Sequence, residues 1–125
     1  MIKKVINISG ASKLPLSPAV RADNFIFISG QGGHKDMEGK EAKGIEIQTK
    51  VCLEKVKRVL AAAGASMDDV VKATVFLRNA EDFTKMNEIY QGFFPGDKPA
   101  RSTVITGLVL PEMLVEIECI AYRQS

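Results

Sequence analysis

The sequence predicts an α+β fold, a mixed β-sheet with two helices packed on one of its faces. Three observations lead there. Short β-branched and aromatic runs recur along the chain, two longer segments switch to three- and four-residue apolar spacing, and the segments follow the order strand, strand, helix, strand, helix, strand, strand. Two amphipathic helices are enough to cover one face of such a sheet and no more.

Each element has its own signal. Ile2 to Ile8 is a short strand candidate, and the stretch from Ser9 to Pro18, with prolines at 15 and 18, forbids regular pairing. Asn24 to Ser29, closed by Gly30, reads as a strand buried on both faces, and Gln31 to Lys43 as a polar turn region. From Ile45 to Ala63 the apolar residues Cys52, Leu53, Val56, Val59, Leu60 and Ala63 fall on one helix face. Lys50, Glu54, Lys57 and Arg58 face away, with Glu54 and Arg58 spaced as an i,i+4 pair, and Gly64 supplies a left-handed stop.

Ser66 to Asp69 is a turn into a strand from Val70 to Leu77. Asn79 is the expected N-cap of a second helix, with Glu81 and Asp82 in its first turn and Phe83, Met86, Tyr90 and Phe93 or Phe94 facing inward. After the loop from Pro95 to Pro99, strands are expected near Ala100 to Thr106 and Leu114 to Tyr122. Alternation in the last strand puts Val115, Ile117, Cys119 and Ala121 on one side and Leu114, Glu116, Glu118, Ile120 and Tyr122 on the other. That second side is apolar enough to want cover yet holds two carboxylates, so an oligomer that buries it is the natural expectation.

Composition narrows the chemistry. A chain of 125 residues is expected to form one domain, 1–125, and 46% hydrophobic with 26% charged residues is an ordinary globular mix. Net charge +2 is too small for a nucleic-acid or anionic-membrane protein by bulk charge, although residues 1–62 carry +5 and the remainder −3. No apolar run approaches membrane-span length, and the segment from Met1 to Asn7 lacks a signal-peptide core, so a cytoplasmic protein that binds neither membrane nor nucleic acid is expected. One histidine and two cysteines leave little for a zinc site or a disulfide framework. His34 reads as a solvated loop residue and Cys52 and Cys119 as packed thiols, while Gly30-Gln31-Gly32-Gly33 lacks the spacing of a phosphate loop.

Two placements break the binary pattern, and a third residue, Arg101, stands out by its type. Asn87 lies beside Met86 and Tyr90 on the helix stripe, where a buried amide must bond either to backbone or to something bound. Glu116 and Glu118 share one strand face, as solvated carboxylates or as part of a site. Arg101 opens a strand two residues after Pro99, and arginine is the side chain best shaped to grip a carboxylate through two parallel hydrogen bonds; a surface role fits its position too.

These residues fall within motifs that resemble a known family. Asn24-Phe25-Ile26-Phe27-Ile28-Ser29-Gly30-Gln31, then Val71 to Leu77, Asn87-Glu88-Ile89-Tyr90 and Phe93-Phe94, then Pro99-Ala100-Arg101-Ser102-Thr103-Val104, Leu110-Pro111 and Val115 to Ala121 are similar, in order, to the signature blocks of the Rid proteins. These are the reactive-intermediate deaminases, also called the YjgF or perchloric-acid-soluble protein family. The resemblance implies a chorismate-mutase-like α+β fold and a homotrimer with clefts between subunits. It implies hydrolysis of 2-imino or 2-enamino acids, such as 2-aminoacrylate, 2-iminopropanoate and 2-iminobutanoate, to 2-keto acids and ammonia, without metal or organic cofactor.

By the same resemblance Arg101 would bind the substrate carboxylate and Glu116 would position or activate a water, with Ser29, Gly30 and Asn87 lining the cleft. Leu16 stands where many members carry an overhanging aromatic, and Thr103 where several carry cysteine. The loop from Pro95 to Lys98 is shorter than is typical of the family. Two other readings stand beside the hydrolase, a trimeric binder of small carboxylates without turnover and an endoribonuclease. Near-neutral charge and the single histidine weigh against the second of these.

Overall fold

The computed structural model describes residues 3–10 and 13–125. Met1 and Ile2, which open the expected first strand, and Ala11 and Ser12, inside the expected irregular stretch, lie outside the described residues. The strands are β1 (Lys3–Ile6), β2 (Ala19–Ala22), β3 (Phe25–Gly32), β4 (Val70–Leu77), β5 (Ala100–Ile105) and β6 (Val115–Tyr122); the helices are α1 (Ile45–Ala62) and α2 (Phe83–Gly92). They form one sheet in the order β1-β2-β3-β6-β4-β5, antiparallel except for the parallel pair β4 and β5. A parallel pair needs a crossover, and α2 supplies it.

Both helices lie on one face. Cys52, Leu53, Val56, Val59 and Leu60 of α1 and Met86, Tyr90 and Phe94 in and after α2 pack against Ile26, Ile28, Ala73, Val75, Leu77, Val115, Ile117, Cys119 and Ala121 of the sheet. The α1 stripe follows the spacing read from the sequence. Its end is a Schellman turn, with Gly64 at φ +78°, the Gly64 N–H donating to Ala61 O and the Ala65 N–H to Leu60 O. No ion pair forms between Glu54 and Arg58 among the described residues, and Arg58 Nε is buried without a partner. No helix among them is long and apolar enough to cross a membrane.

Three details depart from the sequence reading. β2 was not anticipated: it is four residues long, follows two prolines and contains Arg21. Arg21 is tolerated because its guanidinium donates to the carbonyls of Arg123 (2.7 Å) and Ala63 (3.1 Å), the latter at the C-terminal end of α1. Next, Asn79 precedes a short 3₁₀ turn, Ala80–Asp82, and α2 proper begins at Phe83, which is exposed instead of facing inward.

Finally, β3 is buried on one face only. Ile26 and Ile28 point to the helices, while Phe25 and Phe27 point to the uncovered side. There Val5, Phe25, Phe27, Val104 and Tyr122 are each 42–45% exposed, with Phe25 and Tyr122 edge to face at 5.1 Å. A run of four apolar residues does not reveal that one of its two faces has no cover within the chain.

Candidate functional site

β5 pairs with β4 so that Arg101 stands beside Ala73 and Thr103 beside Val75. Since Ala73 and Val75 are buried under the helices, both site candidates point to the helix side of this edge strand. The Arg101 guanidinium carbon lies 4.7 Å from the centre of the Tyr90 ring and 5.8 Å from that of Phe83, both contributed by α2. Asn87, one α2 turn before Tyr90 and Gln91, joins them, Lys98, Pro99 and Arg101 in lining a cleft of about 270 Å³. Asn87 Oδ1 and the Tyr90 hydroxyl are buried and have no partner. Burial pushes the Tyr90 phenol up to about 12, so it stays protonated at neutral pH. Among the described residues the Arg101 guanidinium makes no hydrogen bond and no ion pair. The Lys98 ammonium donates to the Phe94 carbonyl and pins the loop that delivers Arg101.

Glu116 belongs to the other side. It stands between Phe76 of β4 and Gly32 of β3, on the face the helices leave open. The β3–β6 register shifts between Ile28 and Gln31, which brings Gly30 against the Glu116 side chain. A β-carbon at Gly30 would collide with the carboxylate, so glycine is what permits the approach. Burial first, and Glu118 second, raises the Glu116 carboxyl above the usual glutamate value. Glu118 is exposed, opposite Thr74. The Ser29 hydroxyl donates to Ser17 O at 2.6 Å and its N–H to Pro18 O at 3.0 Å, which ties down the loop carrying the exposed Leu16.

The expected site residues therefore form two groups. Asn87, Arg101 and Thr103 share the helix side of the sheet edge; Gly30 and Glu116 meet on the open face, with Ser29 and the Leu16 loop tethered next to Gly30. Arg101 and Glu116 lie on opposite faces, with β4 between their strands. One chain alone does not gather them into a single cleft.

Neighbouring residues hold the Glu116 group in place. Gln48 of α1, buried, donates through Nε2 to Ala42 O (3.0 Å) and Glu112 O (2.9 Å), and its Oε1 accepts the Leu114 N–H (2.8 Å). Arg78 donates to Met113 O (2.7 Å) and Leu110 O (2.8 Å). Together they fix the chain entering β6, hence the position of Glu116. His34 lies in the loop after β3 as expected but is half-buried there: its Nδ1 is buried without a partner, and burial and Lys55 lower its pKa. Cys52 and Cys119 are packed thiols, each pushed up to about 12 by burial and therefore inert as nucleophiles at neutral pH. The sequence reading missed the placement of Tyr90 and Phe83 around Arg101; the clue was a hydroxyl on an apolar stripe, three residues after the equally anomalous Asn87.

Comparison with known proteins agrees with this architecture. Residues 9–123 match the family described as Endoribonuclease L-PSP. A RutC family protein of Pyrococcus horikoshii is 44% identical over 126 residues, covering 98% of this chain and all of its own. The solved structure of YyfA from Yersinia pestis, a protein of unknown function in the conserved Rid family, superposes with a TM-score of 0.90 at 35% identity, over 97% of this chain and 99% of its own. TdcF of E. coli, solved with bound serine, superposes with a TM-score of 0.89 at 32% identity over the same shares. Motifs, sheet order and relatives converge, and the chain belongs to the Endoribonuclease L-PSP family, the family of the RutC and YjgF/Rid proteins.

Proposed function

We propose that the protein hydrolyses reactive 2-imino and 2-enamino acids to 2-keto acids and ammonia. Arg101 of one copy holds the carboxylate and Glu116 of a neighbouring copy places the water, in clefts of a homotrimer. The observation that carries this reading is the state of Arg101. Its guanidinium is held beside two aromatic rings, free of any protein carboxylate among the described residues, near two buried polar atoms without partners. A small carboxylate bearing a nitrogen on the adjacent carbon fits such a cleft. Serine, bound to the relative TdcF, has that frame. The opposed faces and the exposed aromatic patch favour a site completed by a second copy.

The chemistry asks little of the protein. A protonated imine carbon is already electrophilic. Water adds to it while Glu116 accepts a proton, giving a 2-amino-2-hydroxy acid. Returning that proton to nitrogen lets the C–N bond break, and ammonia leaves as the hydroxyl gives its proton back to Glu116 and the keto group forms. An enamine first takes a proton on its β-carbon to become the imine. A glutamate raised by burial suits both directions of this transfer.

The test is turnover of freshly generated 2-iminopropanoate, followed as pyruvate and ammonia. Wild-type protein should accelerate the reaction over buffer, and at substrate concentrations well below the wild-type KM Arg101→Ala and Glu116→Gln should each be nearly inactive. Refolded together in equal amounts, the two variants should regain about a quarter of the clefts, those with an intact arginine from one copy and an intact glutamate from the next. No acceleration by wild type overturns the hydrolase. A mixture that stays dead beside active wild type overturns the shared cleft. A small-carboxylate binder without turnover is the second reading, favoured by the bound serine of TdcF, and predicts pyruvate binding with no acceleration.

A further inference from the structure

Arg101 raises a physical problem. It sits at the start of an edge strand, and an arginine side chain loses substantial rotamer freedom when it is fixed on a ligand. The usual means of fixing it beforehand is a carboxylate partner. Such a partner would neutralise the charge and occupy the N–H edge that a substrate needs. The structure uses another means. The Tyr90 ring lies 4.7 Å from the guanidinium carbon, and the Phe83 ring 5.8 Å from it, both within cation–π range. Aromatic contacts of this kind hold a flat cation without consuming its hydrogen-bond donors.

The two rings are themselves held differently. Tyr90 is buried, with its ring 4.8 Å from that of Phe94. Its hydroxyl has no partner, so no hydrogen bond of its own accounts for a tyrosine at this place. Phe83 is 44% exposed at the first turn of α2, where burial in the core does not account for a phenylalanine. What the two share is Arg101.

We propose that Tyr90 and Phe83 are positioning residues, an aromatic clamp that holds the Arg101 guanidinium in place with its N–H edge free for a carboxylate. This rests on the reading of Arg101 as the carboxylate anchor and adds how that anchor is prepared. Lysine at 101 would not be held in the same way, because an ammonium has no flat face to lay on a ring.

The experiment measures pyruvate binding by calorimetry and KM and kcat for 2-iminopropanoate, with thermal unfolding as a check on folding. Phe83→Ala, at an exposed position, should weaken pyruvate binding and raise KM about threefold, with kcat within twofold of wild type. Tyr90→Leu should weaken binding roughly tenfold. Tyr90→Phe, which keeps the ring face, should recover most of what Tyr90→Leu loses. If Tyr90→Leu fails to fold, Phe83→Ala and Tyr90→Phe carry the test. Loss of kcat together with thermal stability, with affinity unchanged, means the rings are merely structural and overturns the clamp. So does an unchanged pyruvate affinity in Phe83→Ala. Pyruvate binding weakened by Phe83→Ala in a protein that hydrolyses no imine supports the clamp and overturns the hydrolase alone.

Discussion

Arg101→Ala is expected to lower kcat/KM for 2-iminopropanoate by roughly 10²–10³-fold while leaving the thermal midpoint almost unchanged. Each hydrogen bond between charged partners contributes about 1.5–3 kcal/mol, and a bidentate pair loses both. At about 1.4 kcal/mol per decade, a net loss of 3–4 kcal/mol gives that range. Most of the loss should appear in KM, since the proposed grip on the carboxylate is the same in the ground and transition states. Folding should tolerate the change, because the guanidinium makes no hydrogen bond or ion pair within the described chain and the rings it touches can relax toward each other. Arg101→Lys should restore the charge without the fork and recover only part of the affinity. A loss below fivefold in Arg101→Ala would remove the arginine from the site.

Glu116→Gln should behave in the opposite way, with kcat falling about 10²–10³-fold and KM for the imine moving little. The carboxyl is raised above the ordinary glutamate value by burial and by Glu118, so the acid limb of the kcat/KM profile should lie above that value. Activity should be present above the limb, where Glu116 is ionised, and lost as pH falls through it. The same shift has a sign for stability. Because the folded pKa exceeds the unfolded one, the folded state binds protons more tightly. The stabilising contribution is full below the unfolded pKa and is lost as pH rises through the folded one. At pH 7 the ionised glutamate therefore opposes folding, and Glu116→Gln should unfold at a higher temperature than wild type there, an advantage that disappears in acid. Urea or thermal midpoints at two pH values would show it. An enzyme that is less active and more stable at neutral pH is what a carboxylate held in place for chemistry predicts.

The elements most legible in the sequence were those whose periodicity is local. α1 lies where three- and four-residue spacing put it, and the alternation of β6 assigned every one of its residues to the correct face. What escaped depended on neighbours distant in sequence. β2 has little strand character of its own and forms because β1 and β3 offer ladders on both sides. Phe25 and Phe27 read as doubly buried because apolar residues ran together, yet nothing in the described chain covers their side.

The candidate site divides in the same way. Arg101 and Glu116 could be singled out from motif and residue type. That they face opposite ways could not, because it follows from pairing β5 with β4 and β4 with β6, a register set across long stretches of intervening chain. Tyr90 was placed correctly on the core stripe of α2, but its second relation, to a guanidinium arriving from another strand, appears only once β5 is in position.

Loops are ordinarily where a chain can accept change most freely. Gln48 withdraws that freedom from two of them at once. Its single amide satisfies the carbonyls at 42 and 112 and the N–H at 114, and no other side chain of its length offers two donors and an acceptor in that arrangement. Glutamate would lose the donors, and methionine or leucine would strand three backbone groups. Insertions and deletions in the two loops are thus constrained jointly, through one helix position, and a designer regrafting either loop would have to preserve where that amide reaches.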